Sequence, residues 1–123
     1  MAYTTIEQSK KLIELGLDSS TADIYYIFDT FIGDIGGVAF GKPEEPEDIP
    51  CWSLDALLEV IPKPIKYQGS LCYPELDLFS HKIYYMVGGA SYLTIGGMDN
   101  LDAAYNMIVW LLSNGHIKGK ELK

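Results

Sequence analysis

The chain contains no arginine: its nine basic residues are all lysines, set against seventeen acidic ones for a net charge of −8. Nucleic-acid binding draws on cations that neutralise phosphates, and arginine is the usual bidentate reader of guanine edges. An acidic chain without arginine is poorly made for that role, and anionic membrane surfaces repel the same charge. Arginine clamps for phosphate or carboxylate substrates are missing too. Cysteine is scarce: Cys51 and Cys72 stand alone, so no disulfide framework is encoded. They read as buried thiols in a reducing compartment. The opening residues Met1-Ala2-Tyr3-Thr4-Thr5 lack a secretory pattern. No apolar run approaches the roughly 20 residues a membrane helix requires. These absences predict a soluble, cytoplasmic protein that engages neither nucleic acid nor membrane, its acidity serving solubility.

What is present is patterning for folding. An apolar fraction of 48% and nine tyrosines belong to a folded globule. A chain of 123 residues fits a single domain spanning 1–123. Thr4 and Glu7 have capping-box spacing, and a first helix is predicted from about Thr5 to Leu15, stopped by Gly16. Residues 20–32 are ambiguous: Ser20 and Asp23 suggest a helix cap and Ile24, Ile27, Phe28, Phe31 and Ile32 have helical spacing, whereas Ile24-Tyr25-Tyr26-Ile27-Phe28 has strand composition. From Gly33 to Pro50 a loop is expected, with 41–50 an acidic, proline-rich surface segment. Ser53 caps a short helix carrying Leu54, Leu57, Leu58 and Ile61, which Pro62 and Pro64 end.

A β region follows. Runs His81–Val87 and Ala90–Ile95 flank Gly88-Gly89, a hairpin signal. A preceding strand, Leu71–Phe79, contains Pro74 and is expected at a sheet edge. Alternation assigns Cys72, Leu76, Leu78, Ile83, Tyr85, Val87, Leu93 and Ile95 to the core face. Tyr73, Glu75, Asp77, Lys82, Tyr84, Met86, Tyr92 and Thr94 then lie opposite. Asp99 or Asn100 caps a last helix whose inner stripe is Leu101, Ala104, Tyr105, Ile108, Leu111 and Leu112, and Asn114-Gly115 stops it. Residues 118–123 read as a frayed polar tail. The predicted class is α+β: a small antiparallel sheet of about three strands packed on two to four helices.

Three segments resemble a family of small, uncharacterised proteins encoded by gut bacteria and their prophages. They are Thr21-Ala22-Asp23, Pro50-Cys51-Trp52-Ser53-Leu54 through Pro62, and Asp102-Ala103-Ala104-Tyr105 through Trp110-Leu111-Leu112-Ser113-Asn114-Gly115-His116-Ile117. Asp55 departs from the family's small residue, and residues 24–49 carry none of the resemblance. It implies a phage-related or mobile-element accessory protein, and no activity, cofactor or catalytic residue.

Chemistry-bearing motifs are sparse. His81 and His116 are the two histidines, and no His-x-x-x-His or Cys-x-x-Cys spacing exists, so no metal site is expected. Glu75 and Asp77 share a strand face as a two-carboxylate hydrolase would place them, but so do ordinary solvent-facing acids beside a lysine such as Lys82. Gly33-Asp34-Ile35-Gly36-Gly37 has neither the lysine nor the hydroxyl residue of a phosphate loop. Trp52 and Trp110 read as core anchors. Neither catalytic residues nor a cofactor are assigned. The candidate partner-binding residues are Tyr73, Tyr84, Met86 and Tyr92, aromatics and a methionine amid charges; the rival reading has segment 24–40 folding over and burying them. The leading functional expectation is therefore a non-enzymatic module that binds a protein partner or itself. One alternative is a small thiol-dependent hydrolase using Cys51, whose place at a helix N-terminus would lower its pKa, with His81 or His116 as partner. Another is an acidic inhibitor of a basic host protein that mimics nucleic acid through its acidic surface, although no dense carboxylate stripe exists beyond residues 44–48.

Overall fold

The computed structural model describes residues 2–87 and 90–117, the side chains of 90–92 excepted. Helix α1, Ile6–Glu14, is started by Thr5, whose hydroxyl accepts the Gln8 amide at 3.1 Å while the Gln8 side chain accepts the Thr5 amide at 2.9 Å. The capping box thus lies one residue beyond the Thr4–Glu7 expectation. Thr4 is committed elsewhere: fully buried, its hydroxyl accepts the Trp52 amide at 3.0 Å and pairs with Ser9 Oγ at 2.8 Å. At the other end Gly16 takes a φ of 99°, and the Leu17 amide reaches back to the Leu12 carbonyl at 2.9 Å. That closure turns Leu17 into the core.

Residues 24–40 resolve as strands. β1 (Ile24–Asp29), β2 (Asp34–Phe40) and β3 (Ile49–Cys51) form an antiparallel sheet in the order β2-β1-β3. Strand composition prevails over helical spacing because Asp23, the candidate helix cap, instead accepts the Ser53 amide and hydroxyl and fixes the start of β1 beside β3. The loop expected from Gly33 to Pro50 contracts accordingly to the residues between β2 and β3. Its acidic portion ends at Asp48, not at Pro50, with the buried Asp48 carboxylate accepting the Phe28 and Glu45 amides.

Helix α2, Leu54–Val60, is capped by Ser53 and ends where Ile61 turns extended ahead of Pro62. Strands β4 (Ile65–Tyr67), β5 (Ser70–Asp77), β6 (Lys82–Val87) and β7 (Ala90–Gly96) build a second antiparallel sheet in that order. The α+β class holds, with two sheets in place of one small one. Pro74 lies in an interior strand, not an edge strand, yet β4 pairs only with Ser70–Cys72. Beyond Cys72 that side of β5 is open, and the missing proline amide costs no ladder bond there. The Gly88-Gly89 turn and the tail 118–123 lie outside the described residues.

Helix α3, Asn100–Ser113, is capped by Asp99, which accepts the Asp102 amide at 2.7 Å. Gly115, at a φ of 75°, ends it as expected. Its buried stripe is Leu101, Ala103, Ala104, Met107, Ile108 and Leu111. Ala103 and Met107 replace Tyr105 and Leu112, which are only partly buried, because α2 and the sheet cover the helix on adjoining sides. The main core joins Leu101, Ala104, Met107, Ile108 and Leu111 of this stripe to Leu12, Leu17, Trp52, Leu57, Ile61, Ile65, Cys72, Ile83 and Tyr85. A smaller cluster of Ile24, Tyr26 and Cys51 sits under Tyr3, Ile6, Ile35 and Ile49.

Candidate interaction surface

Because α3 takes one face of the β4–β7 sheet, alternation sends every second side chain to the other. Cys72, Ile83 and Tyr85 are fully buried on the inner face. Cross-strand partners share a face, so the register Tyr73↔Met86, Glu75↔Tyr84, Asp77↔Lys82 and Tyr84↔Thr94 builds the outer one. Tyr73 is 56% exposed there, while Tyr84 and Met86 are half-buried among their neighbours. Segment 24–40 pairs within its own sheet, and Tyr73 on this face remains exposed. Tyr92 stands where the β6–β7 register shifts, between the pairs Tyr85↔Leu93 and Met86↔Ser91; its side chain is outside those described.

At the open end of this face the sheet continues into a groove of about 580 Å³ lined by Glu75, Leu76, Asp77, Leu78, Phe79, Tyr84 and Met86. Leu78 does not reach the core: β5 ends at Asp77, and the chain turns before Leu78 can point inward, leaving it 59% exposed beside Phe79 at 98%. The turn is built to hold them out. Asp77 Oδ1 accepts the Phe79 amide at 3.0 Å and the Ser80 amide at 3.3 Å. Bonds from Ser80 hold the Asp77 carboxyl below its usual range, with the Lys82 charge a lesser influence. Asp77 is thus an ionised turn-former. His81 adopts a left-handed φ of 53°, accepts the Gly97 amide, and meets Asn100 Oδ1 through Nδ1 at 2.8 Å. The tip is thereby tied to the start of α3. Alternation located Tyr73, Tyr84 and Met86; it could not locate Leu78 and Phe79, whose exposure depends on where the turn begins.

The other chemistry-bearing residues stand apart. Cys51 is fully buried, and burial, with the nearby Asp23 charge adding to it, pushes its thiol up to about 12. At neutral pH the group is a thiol, the reverse of the lowering expected at a helix N-terminus, because desolvation outweighs the short α2 helix. Its packing partners are Ile24, Tyr26 and the residues over them. His116 lies elsewhere, stacked on Trp110 with centroids 5.2 Å apart, and Tyr67 meets both rings edge-on. Trp110 is therefore a half-exposed stacking partner, whereas Trp52 is a fully buried anchor whose Nε1 donates to Thr21 Oγ1 at 2.9 Å. Cys72 is fully buried in the main core. Among the described residues no group of three or more His, Cys, Asp or Glu is placed to hold a metal ion, and no helix is long and apolar enough to cross a membrane. No protein family, curated protein or solved structure matches the chain.

Proposed function

We propose that this chain is a non-enzymatic protein-interaction module that binds its partner on the outer face of the β4–β7 sheet. The reading rests on one observation: among the described residues this face keeps Tyr73 exposed and Phe79 fully in solvent, beside a groove lined by Tyr84 and Met86. Aromatic and methionine side chains held on a rigid sheet supply contact area at little entropic cost. Glu75 and Asp77 border the groove, so the fitting partner presents an apolar knob flanked by lysine or arginine. An accessory role of the phage or mobile-element kind agrees with the family resemblance of the sequence. Two free, buried thiols agree with a reducing, cytoplasmic setting.

The test is affinity capture from host cells with wild type and a Tyr73→Ala/Phe79→Ala double variant. Both residues are exposed, so the fold should survive their truncation. Loss of two anchors should weaken retention of the specific partner by roughly tenfold or more. A partner retained equally by the double variant would refute the assignment of this face.

A further inference from the structure

The three-stranded sheet has two edges of unlike character. β3 is three residues long with Pro50 at its middle, the kind of edge that resists pairing. The second sheet guards its edges as well: β4 is three residues long, and on β7 the Asn106 side chain donates to the Gly96 carbonyl at 3.0 Å. β2 is guarded less: a bulge at Gly36 interrupts it, and from Gly37 to Phe40 it runs regular. It runs seven residues, pairs with β1 alone, and holds neither lysine nor proline. On the face that β2 shares with Ile24 and Tyr26, Phe40 is 87% exposed, and Val38 and Phe40 line a groove with Tyr3, Ile24 and Ser53.

We infer that two copies of this chain pair antiparallel along β2, about a two-fold axis at Val38, and so double the three-stranded sheet. The ladder to β1 sets which groups are free. The Gly41 amide donates inward to the Asp23 carbonyl, so by alternation the amides and carbonyls of Phe40 and Val38 point away from β1. A register with Val38 against its own copy opposes outward groups on the axis and sets Gly36 against Phe40. In that register the large exposed ring of Phe40 meets Gly36, a position with no side chain. Gly36 is also required by its own chain: it sits at the bulge in the β1–β2 register, where a Cβ would come within 3.0 Å of Asp29 Cβ.

Charge selects a second copy in this orientation. The run 35–41 is uncharged within a chain of net charge −8, so like charges are kept out of the seam. The nearest charges are opposite in sign at opposite ends, Asp34 and Lys42, and the antiparallel register brings the Asp34 of each copy to the Lys42 of the other. The carbonyls of Ser20 and Ala22 hold the Lys42 ammonium at that end without neutralising it. A parallel pairing would instead oppose like charges. Since β3 is blunted, the assembly closes at two.

Light scattering on the eluting full chain, with amide hydrogen exchange, tests this pairing. Wild type should show twice the mass of one chain, with the Val38 and Phe40 amides protected from exchange. Val38→Lys sets two like charges on the axis; it should halve the mass and release those amides while circular dichroism stays unchanged. Phe40→Lys, at an exposed site, should do the same if Val38→Lys disturbs folding. Tyr73→Ala/Phe79→Ala should leave the mass at two chains, which separates this pairing from the partner face on the other sheet. A monomer at every attainable concentration, a dimer that survives both lysine variants, or growth beyond two chains would each overturn it.

Discussion

The two sheets are made from similar β-branched and aromatic strands, yet they are held in place by different means. The β4–β7 sheet lies against α3, and the large side chains between them, Ile83, Tyr85, Met107, Ile108 and Leu111, are fully buried. The small cluster of the β1–β3 sheet is covered by Tyr3 and Ile6 from outside the sheet and by Ile35 and Ile49 of its own strands. Polar bonds do more of the holding there. Thr4 donates its amide to the Trp52 carbonyl, accepts the Trp52 amide on its hydroxyl, and accepts the Tyr26 hydroxyl on its carbonyl. A sheet backed by a helix draws its stability from area removed from water, which is insensitive to direction. A sheet stitched by directional bonds to one buried threonine depends on a few partners being present.

Trp52 belongs to both regions, with its backbone bonded to Thr4 and its indole in the main core, so removing it should have the largest effect. Trp52→Ala should destabilise the protein by about 3–5 kcal/mol in denaturant titration. Leu111→Ala, confined to the helix-backed core, should cost about 2–5 kcal/mol, and Ile24→Ala should fall at or below the bottom of that range. Equal costs for Leu111→Ala and Ile24→Ala would erase the distinction between the two regions.

The second contrast is in alkaline behaviour. Burial raises Cys51 and Tyr26 each to about 12, from ordinary values of 9.0 and 10.0; the Asp23 charge adds to the first and the Cys51 charge to the second. Tyr85 in the main core is raised as well, chiefly by burial. The folded state keeps these protons where the unfolded chain has shed them, so between about pH 9 and 12 the unfolded state binds fewer protons. Stability is then whole below about pH 9 and declines as pH climbs toward 12. Denaturant midpoints measured across that window should fall steadily. Cys51→Ser, which removes a titrating group, should flatten the first part of the decline. An unchanged slope would mean that Cys51 ionises freely in the folded protein.

Capped helices and alternating strands were legible because their signals are local. Ser53 with its leucines, Gly16, Pro62 and Asp99 lie where the structure uses them. The outer-face assignment of Tyr73, Tyr84 and Met86 followed from alternation once one face was required to meet α3. Contacts distant in sequence were not legible. Nothing in Thr4 announces that Trp52 will claim its hydroxyl and shift the capping box to Thr5. Asp23 looks like a helix cap until Ser53 arrives beside it. β2 is hidden because Gly33, Gly36 and Gly37 read as loop, and only pairing with β1 across a bulge makes a strand of them. The exposed Leu78–Phe79 tip depends on Asp77 bonding the Phe79 and Ser80 amides, a choice that alternation alone cannot see.

The smallest test compares one tyrosine from each region. Tyr26 and Tyr85 both donate their hydroxyls to a backbone carbonyl at 2.7 Å, Tyr26 to Thr4 and Tyr85 to Pro62. Replacing either with phenylalanine keeps the ring and deletes one bond, so the outcome depends on the carbonyl left behind. Pro62 is only partly buried, and water can reach it; Tyr85→Phe should cost about 0.5–1.5 kcal/mol. Thr4 is fully buried, and its carbonyl would be left unpaired at the point where α1, β1 and β3 meet; Tyr26→Phe should cost more, about 1–3 kcal/mol. The order runs opposite to burial of the tyrosines themselves, since Tyr85 is 0% exposed and Tyr26 9%. If the cost instead tracks the ring's burial, with Tyr85→Phe the more damaging, then directional bonding is not what secures the β1–β3 sheet, and the two regions are held by the same force.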